Sequence, residues 1–132
     1  MSYFLLKTEP STYSWDDLVR QGRAVWDGVK NPAALNHLRA MQPQDRAFIY
    51  HTGDEKAVVG IAKVLSRAYP DPKAKDPKLM VVDLEPVKKL ARPVTLASVK
   101  ADRWFQDFAL VRVPRLSVMP VTQEQWERIL EM

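Results

Sequence analysis

Strand-like and helix-like runs do not alternate regularly along this chain, and that order excludes more folds than any single motif does. Residues 3–7 are short, apolar and aromatic, the pattern of a buried strand. Two helix signatures follow without a strong strand between them. Ser14 caps the first, with Asp17 as reciprocal acid, Trp15, Leu18 and Val19 as its apolar stripe and Gly22 as its stop. Asn31 caps the second, Pro32 is preset for its first turn, and Leu35, Leu38 and Met41 recur at three-residue spacing. Residues 46–51 and 57–65 then read as an antiparallel hairpin around the loop 52–56, with Gly60 marking a bulge or a close backbone approach. Residues 69–77 form a proline-punctuated, lysine-bearing surface loop. Residues 79–84 are a strand extended towards Leu90, and 95–100 a short capped helix. Residues 105–113 have no decisive period, and 116–121 are a last strand. Thr122 and Gln125 make a capping box for a final helix that turns Trp126, Ile129 and Leu130 inward. This order cannot be wound into a parallel sheet with regular crossovers. The expected class is α+β: an antiparallel, curved or barrel-like sheet with helices at its ends.

Composition narrows the function classes. At 132 residues the chain is expected to be one domain, residues 1–132, burying roughly two-thirds of its unfolded surface. No apolar run approaches the ~20 residues of a membrane span, and residues 1–3 lead straight into a strand, so neither a membrane segment nor a signal peptide is expected. The chain has no cysteine, which removes disulfides, thiolate metal sites and a cysteine nucleophile and fits a reducing, cytoplasmic setting. A net charge of +4 leans towards an anionic partner, though its 20 basic and 16 acidic residues are interspersed. Four glycines supply neither dinucleotide nor phosphate-loop spacing, so no cofactor is expected, and a monomer is favoured.

The candidate chemistry gathers at three junctions. Residues 25–32, Val-Trp-Asp-Gly-Val-Lys-Asn-Pro, place a large ring beside a carboxylate in a backbone-constrained segment before a helix. A nucleobase offers two apolar faces and a polar edge, and its site needs a ring to stack on and fixed donors and acceptors at the rim. Trp26 can stack, with Val29 beside it. Asp27 or Glu9 can accept from an exocyclic amine, and Thr8, Ser14, Asn31 and Ser117 can complete the edge. Tyr13, Tyr50 and His51 can close the walls, while Lys7, Lys30 and Arg115 can meet phosphate. Each also has an ordinary structural role: caps for Ser14 and Asn31, a turn for Thr8, a core ring for Trp26. Catalysis is the competing reading. His51 could act with Glu9 or Asp27 in a small-molecule or nucleotide-processing enzyme, or with Ser14 or Ser117 as nucleophile. No GxSxG elbow supports the nucleophile, and no HExxH spacing supports a metal site from His37 and His51.

The same residues carry a family resemblance. Lys7-Thr8-Glu9-Pro10-Ser11-Thr12-Tyr13-Ser14, Val25 to Asn31, Leu38-Arg39-Ala40-Met41, Tyr50-His51, Val59-Gly60-Ile61-Ala62, Ala68 to Pro72 and Arg115-Leu116-Ser117-Val118 resemble, in order and over nearly the whole chain, the EVE domain. The resemblance implies a PUA-like fold, a curved, barrel-like β-sheet with flanking helices. It also implies kinship with YTH domains, which read N6-methyladenosine in an aromatic pocket. On that layout residues 7–9 and 26–27 are facing walls of one pocket, and Thr8, Glu9, Trp26, Asp27, Tyr50 and Ser117 are expected to line it together. The implied function is recognition of a modified base, 5-methylcytosine or a relative, in DNA or RNA or as the free base, without catalysis. One departure stands out. Many members carry a tryptophan just before the strand that starts near residue 79, where this chain has Leu79 and Met80, so a less aromatic cage is expected.

Overall fold

The computed structural model describes residues 1–132. Seven strands form one sheet: β1 (Tyr3–Thr8), β2 (Ala24–Trp26), β3 (Arg46–His51), β4 (Ala57–Val64), β5 (Tyr69–Pro70), β6 (Met80–Thr95) and β7 (Val118–Val121). Their spatial order is β2-β6-β4-β3-β1-β7, with β5 pairing β6 off this path. Around the sheet lie α1 (Trp15–Gln21), α2 (Pro32–Ala40), α3 (Leu96–Ala101), α4 (Ala109–Arg112) and α5 (Gln123–Leu130), with a 3-10 turn at Arg103–Phe105. No helix is long and apolar enough to cross a membrane. The sheet curls into a half-barrel with flanking helices, the PUA-like α+β architecture.

The curl has a local cause. The sixteen-residue β6 is the longest strand, and its ladder with β4 slips between Val58 and Gly60 and again between Ile61 and Ala62. Such irregularities bend a strand and increase its twist. The first part of β6 pairs with β2 and β5 as well as β4, and its far end pairs with β4 alone. Gly60 serves both purposes read from the sequence. It sits at the slip, and a Cβ there would lie 2.5 Å from the Trp15 ring, so only a glycine lets α1 lay its indole on β4.

Several details depart from the sequence reading. The central pair β1/β3 is parallel, Tyr3 opposite Arg46 through Thr8 opposite His51, while every other pair is antiparallel. The segment α1–β2–α2 supplies the long connection that a parallel pair requires. Residues 24–26 are a strand, the edge of the sheet. Residues 69–70 also pair, and β6 runs unbroken past Pro86 to Thr95. Val19 and Leu130 face outward at 51% and 44% exposure, because these short helices bury only the side that holds Trp15 and Leu18, or Trp126 and Ile129. Trp126 stacks on Phe48 at 3.8 Å between centroids and packs against Tyr3 at 4.5 Å, so both sides of the core share aromatic rings. No buried side-chain nitrogen or oxygen lacks a hydrogen-bond partner.

Candidate functional site

The end of β1, the turn after it, β2 with the segment that follows, and the residue before β7 meet around one concavity of about 630 Å³. Backbone pairing brings them together: the Lys7 N–H donates to the Ser117 carbonyl at 2.9 Å, and β2 is held by β6 with Trp26 opposite Val82. Gly28, at φ +77°, makes the turn that separates Asp27 from Val29, leaving the carboxylate exposed and the valine buried.

Trp26 is only 7% exposed, yet it lines the cavity. Tyr13 meets it edge-on, with centroids 6.0 Å apart and planes at 84°. The phenol is positioned by its hydroxyl, which donates to the Gln21 side chain, and by a 2.8 Å bond from its own N–H to the Glu9 carbonyl. Burial, then the carboxylates of Asp17 and Asp27, push that phenol above its ordinary pKa, so it is neutral near pH 7. The Thr8 hydroxyl donates to the Tyr13 carbonyl at 2.7 Å, leaving its oxygen able to accept. The exposed Asp27 carboxylate lies on the cavity wall and takes part in none of the chain's ion pairs. The wall therefore combines a ring, a second ring at right angles and an uncommitted acceptor.

Of the residues picked from the sequence as base-binding, the cavity brings together Thr8, Tyr13, Trp26, Asp27, Val29 and Ser117. Lys7 joins them, but not as the free cation expected for phosphate. Its Nζ donates to the Pro114 carbonyl at 2.8 Å and lies 5.6 Å from the Tyr50 ring, and burial lowers its pKa. Lys30 and Arg115 are exposed but outside the wall, beyond the buried Val29 and in the turn that anchors Lys7.

Glu9, Ser14, Asn31, Tyr50 and His51 do not line the cavity, and each has a structural partner instead. Glu9 accepts from the Ser11 N–H and hydroxyl and from the Thr52 hydroxyl, pinning the end of β1 to the loop after β3. Ser14 and Asp17 exchange hydrogen bonds as the capping box of α1, and the Asn31 side chain accepts from the Ala33 and Ala34 N–H groups. Tyr50 is 3% exposed within the sheet. His51 accepts the Trp15 N–H on Nε2 at 3.0 Å, while Nδ1 lies 2.6 Å from Glu55. Its proton therefore belongs on Nδ1, and its one basic nitrogen is occupied by buried backbone. The pairing of His51 with Glu9 or Asp27 that the enzymatic reading requires is not assembled.

The sequence reading also passed over several lining residues: Thr12, Gln21, Arg23, Ala24, Val25, Gly28 and Lys73. Gln21 and Arg23 flank a helix-stopping glycine, a pattern that signals a helix end and not a site. Val25 carried a usable signal, an apolar residue on an edge strand, and it is 51% exposed at the cavity. Arg23 contributes through a fixed network: its guanidinium donates to Asp83 at 2.7 Å, and the Tyr69 hydroxyl donates to the same carboxylate at 2.6 Å. That bond, with burial, pushes the Tyr69 phenol up to about 12. Leu79 and Met80 are half-buried and contribute no wall; on the β5–β6 side the cavity is lined by Lys73.

Known proteins match this chain along nearly its full length. Mouse thymocyte nuclear protein 1 is 33% identical, the match covering 99% of this chain and 73% of that protein. The solution structure of a Rhodopseudomonas palustris protein is 45% identical, with a TM-score of 0.93 over 99% of this chain and 92% of that one. The structure of human thymocyte nuclear protein 1 in complex with DNA containing 5-methylcytosine is 31% identical, with a TM-score of 0.90 over 99% and 96% of the two chains. The EVE domain model matches residues 2–132, so the half-barrel and the cavity at its strand ends are those of a chain that belongs to the EVE domain family.

Proposed function

We propose that the cavity takes a single modified base, turned out of a DNA strand, and holds it without changing it. The observation that carries this reading is the state of Trp26: nearly buried by the fold, yet a lining residue of the cavity, with an uncommitted carboxylate one residue away. A base stacked there would have Tyr13 at its edge. Its exocyclic amine would face Asp27, and the hydroxyls of Thr8 and Ser117 would complete the rim. The apolar surface of Val25 and Val29 suits a methyl group better than a polar substituent. The relative whose structure holds 5-methylcytosine DNA makes that base and that polymer the first to try.

A binding panel tests the reading: matched duplexes with and without 5-methylcytosine, the same sequences as RNA, and the free base. The expected result is tightest binding to the modified duplex, with no product formed. Trp26→Phe keeps most of this preference because a smaller ring still stacks. Equal affinity for modified and unmodified strands would overturn the reading, and RNA as the tighter ligand would change its polymer. Binding to duplex should weaken steeply with salt, while binding to a free base should barely respond.

A further inference from the structure

Lys73 belongs both to the cavity wall and to the loop that joins β5 to β6. That loop holds five charged residues, Asp71, Lys73, Lys75, Asp76 and Lys78, and its hydrogen bonds sort them by sign. The Asp71 carboxylate accepts the Lys73 N–H, and the Asp76 carboxylate accepts the Lys78 N–H, each at 2.9 Å. Both acids are thus turned onto the backbone. The three lysines are exposed and belong to no ion pair, unlike Lys63, which is held by Glu85 at 3.0 Å. The loop is also braced. The Asp71 N–H donates to the Leu79 carbonyl across its base, the Ala74 and Leu79 N–H groups donate to the Asp71 and Asp76 carbonyls, and the Arg39 guanidinium ties the Lys78 carbonyl to α2. Pro72 and Pro77 restrict the backbone further.

We infer that this loop is the contact for the nucleic-acid backbone, with Lys73, Lys75 and Lys78 meeting the phosphates that flank the bound base. The inference rests on the reading that the cavity holds a base of a polymer, and it moves the phosphate contacts away from Lys7, Lys30 and Arg115. A basic ridge that starts at the wall of a base pocket is complementary to a strand that must continue past its bound base. A free base has no use for it. Because the ridge is held by backbone hydrogen bonds, the lysines lose little backbone freedom when phosphate binds.

The test compares two double variants that remove the same charge from a chain of net +4. One is K75Q/K78Q in the loop, which leaves the cavity-lining Lys73 in place. The other is K88Q/K89Q on the far part of β6, whose exposed side chains share no residue with the cavity. Binding to a 5-methylcytosine duplex and to free 5-methylcytosine is measured across salt. The loop variant should lower the slope of log affinity against log salt by about 2, at roughly 0.9 per phosphate contact, and weaken duplex binding about tenfold. Its free-base affinity and its ratio of modified to unmodified binding should match wild type. The strand variant should keep the wild-type slope. Loss of slope in the strand variant alone, or equally in both, overturns the inference. A loop-dependent slope in a protein without preference for the modified base would uphold the ridge and sink the pocket reading. A strong preference with an unchanged loop-variant slope would do the reverse.

Discussion

Two neighbourhoods at the end of β1 both combine a ring with carboxylate and hydroxyl groups, and they differ in what the fold leaves free. Around the cavity are the Trp26 and Tyr13 rings, a carboxylate and the hydroxyl residues Thr8, Thr12 and Ser117; around His51 are an imidazole, two carboxylates and two hydroxyls. In the second group the polar side chains are tied to one another or to backbone: Glu9 to Ser11 and Thr52, and His51 to the Trp15 N–H and Glu55. In the first, the Tyr13 and Thr8 hydroxyls are tied as well, but Asp27 has no ion-pair partner and Trp26 lines open volume. Residue type does not make a site. A site needs groups that the fold positions but does not satisfy, and the contrast between these two neighbourhoods can be broken by experiment.

The largest effects should separate the two outright. Trp26→Ala should lower affinity for the modified duplex by about one to two orders of magnitude, since stacking on an aromatic ring is worth roughly 1–3 kcal/mol. Circular dichroism must accompany the titration, because the ring also packs. His51→Ala should instead cost about 1–3 kcal/mol of stability in a denaturant titration, because the buried Trp15 N–H is left without an acceptor. Its ratio of modified to unmodified binding should stay at the wild-type value, and His51→Gln, which can still accept, should recover part of the stability.

Smaller effects sharpen the contrast. Asn31→Ala removes the acceptor for two N–H groups at the start of α2 and should cost about 1 kcal/mol of stability without altering discrimination. Asp27→Asn should behave oppositely: stability within about 0.5 kcal/mol of wild type, and a several-fold drop in preference for a base that presents an amine, measured by competition titration. Glu9 gives the smallest effect. Hydrogen bonds from the Ser11 backbone and hydroxyl hold its carboxyl below the ordinary value of 4.5. Its contribution to stability is therefore complete above that value and is lost as pH falls through the lowered one. Glu9→Gln should make the acid limb of a plot of Tm against pH shallower and leave binding alone.

What was legible in the sequence was local. Ser14, Asn31 and Thr122 cap their helices, residues 46–64 form the hairpin, and Gly60 marks both a slip and a close approach, because each depends on neighbours a few residues away or on a missing Cβ. Trp26 and Asp27 stood out for the same reason, in a segment constrained by its own glycine and the helix start behind it. The role of His51 was not legible, since its partner at Trp15 lies thirty-six positions away. Glu9 likewise answers to Thr52, forty-three positions on. A polar side chain at a strand end looks the same in sequence whether a distant backbone group satisfies it or not. Lys73 is hidden differently: its loop reads from sequence as basic and exposed, but the pairing of β5 with β6 is what brings it to the cavity.

The central claim is that the free neighbourhood, and not the satisfied one, reads the base. The most direct measurement is the ratio of affinities for a 5-methylcytosine duplex and its unmodified counterpart, taken side by side for wild type, Trp26→Ala and His51→Ala at a temperature where all three are folded. The account predicts a ratio near one for Trp26→Ala and the wild-type ratio for His51→Ala. A wild-type ratio retained by Trp26→Ala and lost in His51→Ala would contradict it.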